Sequence, residues 1–269
     1  MMKLSKLLQS ISLKASSGVG PDAAIAEAPI KLRNEKRLNR KLRSIFNRMA
    51  NDIKTQIART GTTANLDNYI LELKSVIRQD SGLTTRSFYK NLQNRLKIKD
   101  KVIRQRILKE MNHYIEQSSL RQAMHIVDTT NKNIDSTIMK VAKDAAANNE
   151  TLTNQQISQR VSSDFKKKNR NRTAGISKTE VQRVAEKTKN TEANILSQAQ
   201  KVKRIKKRWD ATLDFHTRKE HAKADGQIVD LNEPFQVWGE LLMHPGDTSM
   251  GASLRNIINC RCTTQFLTE

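Results

Sequence analysis

The spacing of apolar residues changes near Trp209. Before it, leucine, isoleucine and methionine recur every three or four positions, which is the stripe of an amphipathic helix. The clearest stripe comprises Leu38, Leu42, Ile45, Met49, Ile53 and Ile57. After Trp209 this spacing disappears, and short apolar runs such as Ile228-Val229 and residues 235–238 alternate with turn residues. The sequence therefore predicts a mainly α chain, an elongated helical N-terminal region followed by a small α+β C-terminal module.

Turn and capping residues divide the helical region. Four places are predicted to interrupt it: Gly61, Ser81-Gly82, Asn148-Asn149-Glu150 and the basic stretch Lys166 to Arg172. A long helix is predicted from about Thr85 to Asp128. Capping boxes, in which a Ser or Thr is followed three positions later by Gln or Glu, predict helix starts at Thr153 with Gln156 and at Ser177 with Glu180.

The chain divides into four segments by composition. Residues 1–30 are predicted to be a flexible basic arm, 31–170 a helical region, 171–208 a helix with a basic end, and 209–269 a compact C-terminal module. A length of 269 residues is sufficient for two domains. No apolar run approaches the roughly 18 residues of a membrane span, so a protein without a membrane span is expected.

The charge is strongly uneven along the chain. The whole chain has 49 Lys and Arg against 27 Asp and Glu, a net charge of +22, while the C-terminal module is mildly acidic. Such an excess predicts a polyanionic partner, and nucleic acid is the first candidate. No sequence-reading motif is present, so binding through phosphates is expected. One dense basic run, either a DNA-contacting stripe or a solvated helix end, contains Lys201, Lys203, Arg204, Lys206, Lys207 and Arg208.

The chain has two cysteines, Cys260 and Cys262. Together with His221, and with His216 or His244 as a further candidate, they offer the ligand types that zinc takes. The module is small enough to need a metal ion for its stability. The alternative is that both cysteines are buried as small apolar residues, with His221 held by hydrogen bonds to Asp214 or the backbone. A catalytic cysteine is not favoured, because deaminase, HNH and cysteine-protease patterns are missing.

An ordered string of residues distinguishes the C-terminal module. It comprises Trp209, Asp214, Thr217, Arg218, His221, Asp225, Gly226, Phe235, Pro245, Gly246, Asp247, Asn259, Cys260, Arg261 and Cys262. In this order the string closely resembles the head-morphogenesis family of tailed bacteriophages, the Mu F-like minor head proteins. Upstream, Thr179-Glu180-Val181 resembles the Thr-Glu helix that precedes the string in that family. The resemblance covers about Arg172 to Phe266.

The resemblance implies a minor capsid protein, not an enzyme, that enters the head through the portal protein during procapsid assembly. It implies packaged double-stranded DNA as a non-specific partner, the major capsid or scaffolding protein as a further candidate, and a link to DNA packaging or ejection in some members. The expected location is the capsid interior of the virion, and the host cytoplasm during assembly. In these terms, 31–170 is the family's variable helical region, 171–208 its Thr-Glu helix with a basic segment, and 209–269 its head-morphogenesis module.

Two other functions remain open on the sequence alone. A sequence-independent nucleic-acid-binding protein unrelated to phage would explain the charge, but it would leave the ordered string unexplained. A metal-dependent nuclease would need a divalent ion at His221 with acidic neighbours.

Overall fold

The computed structural model of the chain describes residues 21–62, 64–96, 100–200 and 205–268. Four long helices dominate it: α1 (Pro21–Thr60), α2 (Ile70–Leu96), α3 (Lys101–Ala147) and α4 (Asn154–Gln200), with a 3-10 helix at Asp67–Tyr69. The predicted mainly α class is confirmed. Residues 1–20 of the predicted N-terminal arm lie outside the described residues. Its remaining residues, 21–30, begin helix α1, so the flexible chain predicted there is wrong. None of the described helices contains an apolar stretch able to cross a bilayer.

The chain forms two compact units. The first, here called the module unit, takes its residues from 1–35, 81–113 and 178–269 and contains all the described strands. The second, here called the helical unit, consists of residues 36–80 and 114–177. Each long helix supplies residues to both units, so the units alternate along the sequence.

The helical unit has its core along the predicted stripe of α1. All six stripe residues, Leu38 through Ile57, are buried. Phe165 of α4 stacks on Phe46 with ring centroids 6.0 Å apart. The Arg172 guanidinium lies 5.6 Å from the centre of the same ring. This packing explains why the predicted loop at Lys166 to Arg172 is wrong: the segment is helical, because α4 is held against α1 at both ends of the stretch.

Helix ends agree with the predictions at two places. Helix α1 ends at Thr60, and the amide of Gly61 donates to the Ile57 carbonyl at 2.7 Å. At the start of α4, the Thr153 amide donates to Gln156 Oε1 at 2.8 Å, and the Gln156 amide donates to Thr153 Oγ1 at 3.3 Å. This is the reciprocal capping box that the sequence predicts.

Three other predicted helix boundaries are wrong. Helix α2 continues through Ser81-Gly82. A helical glycine costs only about 1 kcal/mol relative to alanine. Next to it the Asp80 carboxylate is buried and accepts from Arg37 at 2.7 and 3.1 Å. The helix predicted from Thr85 to Asp128 is in fact divided between α2 and α3. Ser177 lies inside α4, where its hydroxyl donates to the Thr173 carbonyl at 2.9 Å, so it starts no helix.

The strands of the module unit form two small antiparallel sheets. Strand β1 (Ile205–Asp210) lies between β2 (Ile228–Asp230) and β5 (Thr263–Thr268). Strands β3 (Phe235–Val237) and β4 (Glu240–Leu242) form a hairpin. The two connecting residues, Trp238 and Gly239, have φ of 56° and 75°, as a type I′ turn requires. Short helices α5 (Lys219–Lys223) and α6 (Leu254–Ile257) complete the unit, so the predicted α+β module is confirmed.

Candidate functional site

Trp209 is the centre of the C-terminal core. It is fully buried on β1, in a cluster that includes Phe235, Cys260 and Cys262. Its ring meets the His221 ring edge-on with centroids 5.7 Å apart, and the Phe235 ring with centroids 5.4 Å apart. Edge-on aromatic pairs contribute about 0.5–1.5 kcal/mol beyond their burial. The first residue of the motif string therefore positions the histidine and both cysteines.

Asp214 organises the loop after β1. Both of its carboxylate oxygens accept from the Arg261 guanidinium, and its backbone carbonyl accepts from the Thr217 amide at 2.9 Å. The hydrogen bonds from Arg261 hold the pKa of Asp214 well below its usual range. Arg218 donates to the Ile258 carbonyl. Asp214 is thus paired with arginine and makes no bond to His221, so the predicted bond between Asp214 and His221 is wrong.

The Asp225-Gly226-Gln227 turn directly precedes β2 and forms hydrogen bonds with both β1 and the β3–β4 hairpin. Asp225 Oδ1 accepts from the Ala211 amide at 2.8 Å, and the Gly226 amide donates to the Trp209 carbonyl at 2.9 Å. Gly226 has φ of 78°, a conformation that favours glycine. The Gln227 side chain bonds both the amide and the carbonyl of Gln236, at 2.7 and 3.0 Å, and so substitutes for a strand neighbour.

The Pro245-Gly246-Asp247 turn is held by its aspartate. The Asp247 carboxylate accepts from the amides of Met243 and Ser249, each at 2.9 Å. These bonds and the neighbouring His244 lower the pKa of Asp247, although burial opposes the shift. The turn therefore has a structural role.

Helix α4 receives the end of the motif string. The Asn259 amide donates to Thr179 Oγ1 at 3.0 Å, and Gln182 Nε2 donates to the Cys262 carbonyl at 2.5 Å. Asn259 has a positive φ of 55°. Thr179 is the threonine of the predicted Thr-Glu helix, and its partner residue Glu180 is buried in an ion pair with Arg183. The Thr-Glu helix therefore holds the segment from Asn259 to Cys262, directly before β5.

A histidine and both cysteines converge in the core. His221 Nδ1 lies 3.7 Å from Cys260 Sγ and 3.4 Å from Cys262 Sγ, and all three side chains are buried. The hydrogen bond from the Cys262 thiol lowers the pKa of Cys260 to about 5, against the opposing effect of burial. The same contact, with burial, raises the pKa of Cys262. The pair therefore carries one negative charge more readily than two.

Neither of the other predicted histidines joins this group. His216 is exposed, with its ring against Phe215 at 4.0 Å between centroids. His244 is buried, but its Nδ1 lies 3.2 Å from the Pro245 carbonyl, and Nε2 lies 3.9 Å from Asp247. Burial lowers the pKa of His244 and so disfavours the charged form of the ring.

Asn256 orients the histidine and carries no signal in the sequence. Its amide nitrogen donates to the Val237 carbonyl at 3.2 Å and to Glu240 Oε2 at 2.6 Å. The remaining oxygen, Oδ1, lies 3.2 Å from His221 Nε2. An amide oxygen only accepts, so His221 carries a proton on Nε2 and turns Nδ1 toward the two sulfurs.

A second feature without a sequence signal is a buried ionic network that joins α4 to β5. Lys189 Nζ lies 2.9 Å from Glu186 and 3.1 Å from Glu27. Glu186 also accepts from the Thr263 hydroxyl and the Thr264 amide, each at 2.9 Å. Burial raises the pKa of Glu186, but the lysines outweigh it and lower the pKa to about 2. The network fixes the strand that begins directly after Cys262.

The predicted basic run is only partly available to a ligand. Lys201, Lys203 and Arg204 lie outside the described residues. The described part is β1 and not a helix end, because it pairs with β2 and β5. Lys207 points inward: it is fully buried, and its Nζ donates to the Met243 carbonyl at 2.7 Å. Burial lowers the pKa of Lys207 to about 8. The prediction that Lys207 contacts DNA is therefore wrong. Lys206 and Arg208 are half-buried.

A basic groove lies instead in the helical unit. It is open, has a volume of about 480 Å³, and is lined by Lys54, Gln159, Ser162, Ser163, Lys166 and Lys167. The three lysines are exposed. Lys166 and Lys167 belong to the stretch that the sequence predicts as a loop, and helix α4 places both beside Lys54.

The fold and the motif contacts define a mainly helical protein with a small α+β core module. Residues 137–265 match the family described as Phage Mu protein F like protein. The predicted resemblance to this phage head-morphogenesis family is therefore confirmed over residues 137–265. The match begins well upstream of Arg172, so it includes the end of α3 as well as the whole of α4.

Two curated proteins share part of the chain. An NAD(+)--arginine ADP-ribosyltransferase EFV of Enterococcus faecalis (strain ATCC 700802 / V583) is 43% identical over 60 residues, 22% of this chain and 12% of that protein. The minor head protein GP7 of Bacillus phage SPP1 is 34% identical over 73 residues, 27% of this chain and 23% of that protein. The chain thus spans less than a quarter of the length of either relative. No solved structure matches the chain.

Proposed function

We propose that this chain is a minor capsid protein of a tailed bacteriophage that docks on the portal protein during procapsid assembly and contacts packaged DNA without reading its sequence. The observation that carries the proposal is that four residues of the motif string form one buried core, Trp209, Phe235, Cys260 and Cys262. The end of the string contacts α4 through Thr179 and Gln182. The family match over residues 137–265 and the likeness to a minor head protein support it.

The proposed segments follow the sequence. We assign 1–30 to a basic arm, 31–170 to the variable helical region, 171–208 to the Thr-Glu helix and basic segment, and 209–269 to the head-morphogenesis module. The motif contacts support a module that folds together with the end of α4, because residues 178–269 belong to one compact unit.

DNA contact is supported by charge and by the basic groove. A net charge of +22 favours a polyanion, and Lys54, Lys166 and Lys167 lie together on an open, solvent-exposed surface. Lysines bind phosphates as point charges, without base recognition. The expected interaction is therefore independent of sequence and steeply dependent on salt.

Portal docking needs an exposed protein-binding surface, and the loop after β1 offers one. Phe215 is 92% exposed and Leu213 is 60% exposed. Exposed aromatic side chains are frequent anchors of protein interfaces. The ion pair between Asp214 and Arg261 fixes the loop that contains Leu213 and Phe215. A minor head protein would also meet the major capsid protein or the scaffolding protein during assembly, so these are further proposed partners of the chain. The proposed location is the capsid interior, with assembly in the host cytoplasm.

A structural role has more support than a catalytic one. The shared segment is 12% of the ADP-ribosyltransferase, which is too little to carry that activity over. A nuclease would need His221 open to DNA, but the side chain is buried and its Nε2 is bonded to Asn256. A metal held by His221 and the two cysteines would therefore serve the fold and not turnover.

The test is co-expression of the chain with the portal protein of the same genome, followed by gel filtration at low salt and at 0.5 M salt. The proposal expects a complex that persists at high salt. A chain that binds only nucleic acid, and that releases it at high salt without any portal association, would instead support a general nucleic-acid-binding protein. The matched variant is Phe215→Ser, which leaves the buried core unchanged.

A further inference from the structure

We propose that His221, Cys260 and Cys262 bind one zinc ion that stabilises the C-terminal module. The three ligand atoms lie within 4.8 Å of one another, and all three side chains are buried. Thiolate sulfur and imidazole nitrogen are the ligands that zinc prefers in structural sites. The proposal does not depend on any role of the chain in a phage head.

The distances fit a tetrahedral ion. Bonds of about 2.3 Å from zinc to sulfur and about 2.0–2.1 Å to nitrogen place a sulfur and a nitrogen about 3.6 Å apart at a tetrahedral angle. The two observed distances from His221 Nδ1 to Cys262 Sγ and Cys260 Sγ, 3.4 and 3.7 Å, lie on either side of that value. A zinc ion can therefore enter with only small side-chain movements.

The histidine is already set as a ligand. Asn256 accepts from Nε2, which leaves the single lone pair of Nδ1 directed at the sulfurs. The asparagine is held in turn by Glu240, whose carboxylate also accepts from the Ser253 amide at 2.8 Å. Ligating histidines usually donate their second N–H to such a partner, which fixes the ring and raises its basicity.

Metal-free arrangements connect these three atoms only in pairs. If both cysteines are thiols, Nδ1 can accept from one S–H, and the other S–H must donate to the neighbouring sulfur. If the cysteines form a disulfide, Nδ1 of His221 becomes a buried acceptor without a donor among these groups. A zinc ion instead gives both sulfurs and the nitrogen a bond at once.

The site connects elements that are far apart in the sequence. His221 lies on α5, Cys260 follows α6, and Cys262 directly precedes β5. Small modules often gain their missing stability from a metal. The described residues supply three ligands, so a tetrahedral zinc ion would take its fourth ligand from solvent.

The experiment uses the full chain, without a histidine tag, expressed with zinc and purified under a reducing agent. Elemental analysis is expected to find about one zinc per chain. Removal by a chelator is expected to lower the thermal midpoint, and added zinc to restore it. Replacement by cobalt is expected to produce the intense visible bands of a tetrahedral site and the charge-transfer absorption of thiolate ligands.

Variants locate the ion. Cys260→Ser, Cys262→Ser and His221→Ala should each lose most of the zinc, while His216→Ala, an exposed histidine, should keep it. If a ligand variant fails to fold, the cobalt spectrum of the wild-type chain still decides the question. A wild-type chain that contains no stoichiometric zinc under these conditions and gives no thiolate-to-cobalt band, or ligand variants that retain zinc as His216→Ala does, would overturn the proposal.

Discussion

Asn256 Oδ1 lies 3.2 Å from His221 Nε2 and so decides which nitrogen of the ring faces the two cysteines. The asparagine lies on α6 and the histidine on α5, so the contact connects two short helices. The local sequence of neither helix predicts this contact. Its position makes Asn256 a positioning residue for the proposed zinc site.

The change Asn256→Ala should weaken zinc binding about 10–100-fold, which is the usual effect of losing the group that orients a ligating histidine. Cys260 and Cys262 stay in place, so the variant should still bind zinc stoichiometrically at high concentration. The measurement is zinc competition with a coloured chelator. The control is Asn148→Ala, at the exposed end of α3. Equal zinc affinity in the two variants would contradict the positioning role.

Two buried glutamates on α4 should respond to pH in opposite ways. Burial raises the pKa of Glu192 to about 8, with a further contribution from Glu27. A carboxyl whose pKa is raised on folding contributes most stability below its unfolded pKa of 4.5 and loses that contribution as pH rises toward 8. Glu192→Gln should therefore match the wild type near pH 5 and unfold at higher temperature than the wild type near pH 9.

Glu186 provides the contrast, because its pKa is lowered to about 2 by lysines that outweigh its burial. Its contribution to stability is present above the unfolded pKa of 4.5 and is lost as pH falls toward 2. Glu186→Gln leaves Lys189 short of a buried partner and should cost about 3–5 kcal/mol at neutral pH. Thermal unfolding over a pH series tests both variants, and parallel curves for the two would contradict these assignments.

Replacing Lys54, Lys166 and Lys167 by glutamine should weaken DNA binding and reduce its salt dependence. If each lysine neutralises one phosphate, the slope of log affinity against log salt should fall by about 2.7. The matched control replaces three exposed lysines of α3, Lys101, Lys140 and Lys143. Fluorescence anisotropy with double-stranded DNA of two unrelated sequences measures the effect. A loss of the same size in the control would show that overall charge matters and the groove does not.

Phe215→Ser should weaken association with the portal protein at least tenfold while leaving the thermal midpoint unchanged, because the side chain is 92% exposed and contacts little of the core. Phe235→Ser is the opposite case, since that ring is buried against Trp209 and its loss should unfold the module. Binding of the purified portal protein, measured by surface plasmon resonance, separates the two effects. Unaltered binding by Phe215→Ser would remove this loop from the docking surface.

Local patterns in the sequence predict the helices better than they predict the helix ends. The stripe from Leu38 to Ile57 predicts a buried face because a helix brings every third or fourth residue together. Helix α4 runs through Lys166 to Arg172 because Phe165 and Arg172 pack on Phe46, more than a hundred residues away in sequence. Such packing overrides local preference and leaves no periodic signal.

The candidate site divides in the same way. The sequence predicts His221, Cys260 and Cys262 as one group because their residue types match the ligands of one metal. It does not predict Asn256, or the network of Glu186 and Lys189, because ordinary polar residues carry no mark of their partners. It also misplaces Lys207, whose burial follows from strand alternation between Ile205 and Trp209. The pairing of β1 with β5 creates that alternation, and it depends on residues distant in the sequence.

The most direct test of the account is mass spectrometry of procapsids and of DNA-filled heads purified from the phage whose genome encodes this chain. The account predicts that the chain is present in procapsids before DNA enters, in far fewer copies than the major capsid protein, and is missing from heads assembled without the portal protein. Heads that assemble normally and contain none of this chain at either stage would contradict it.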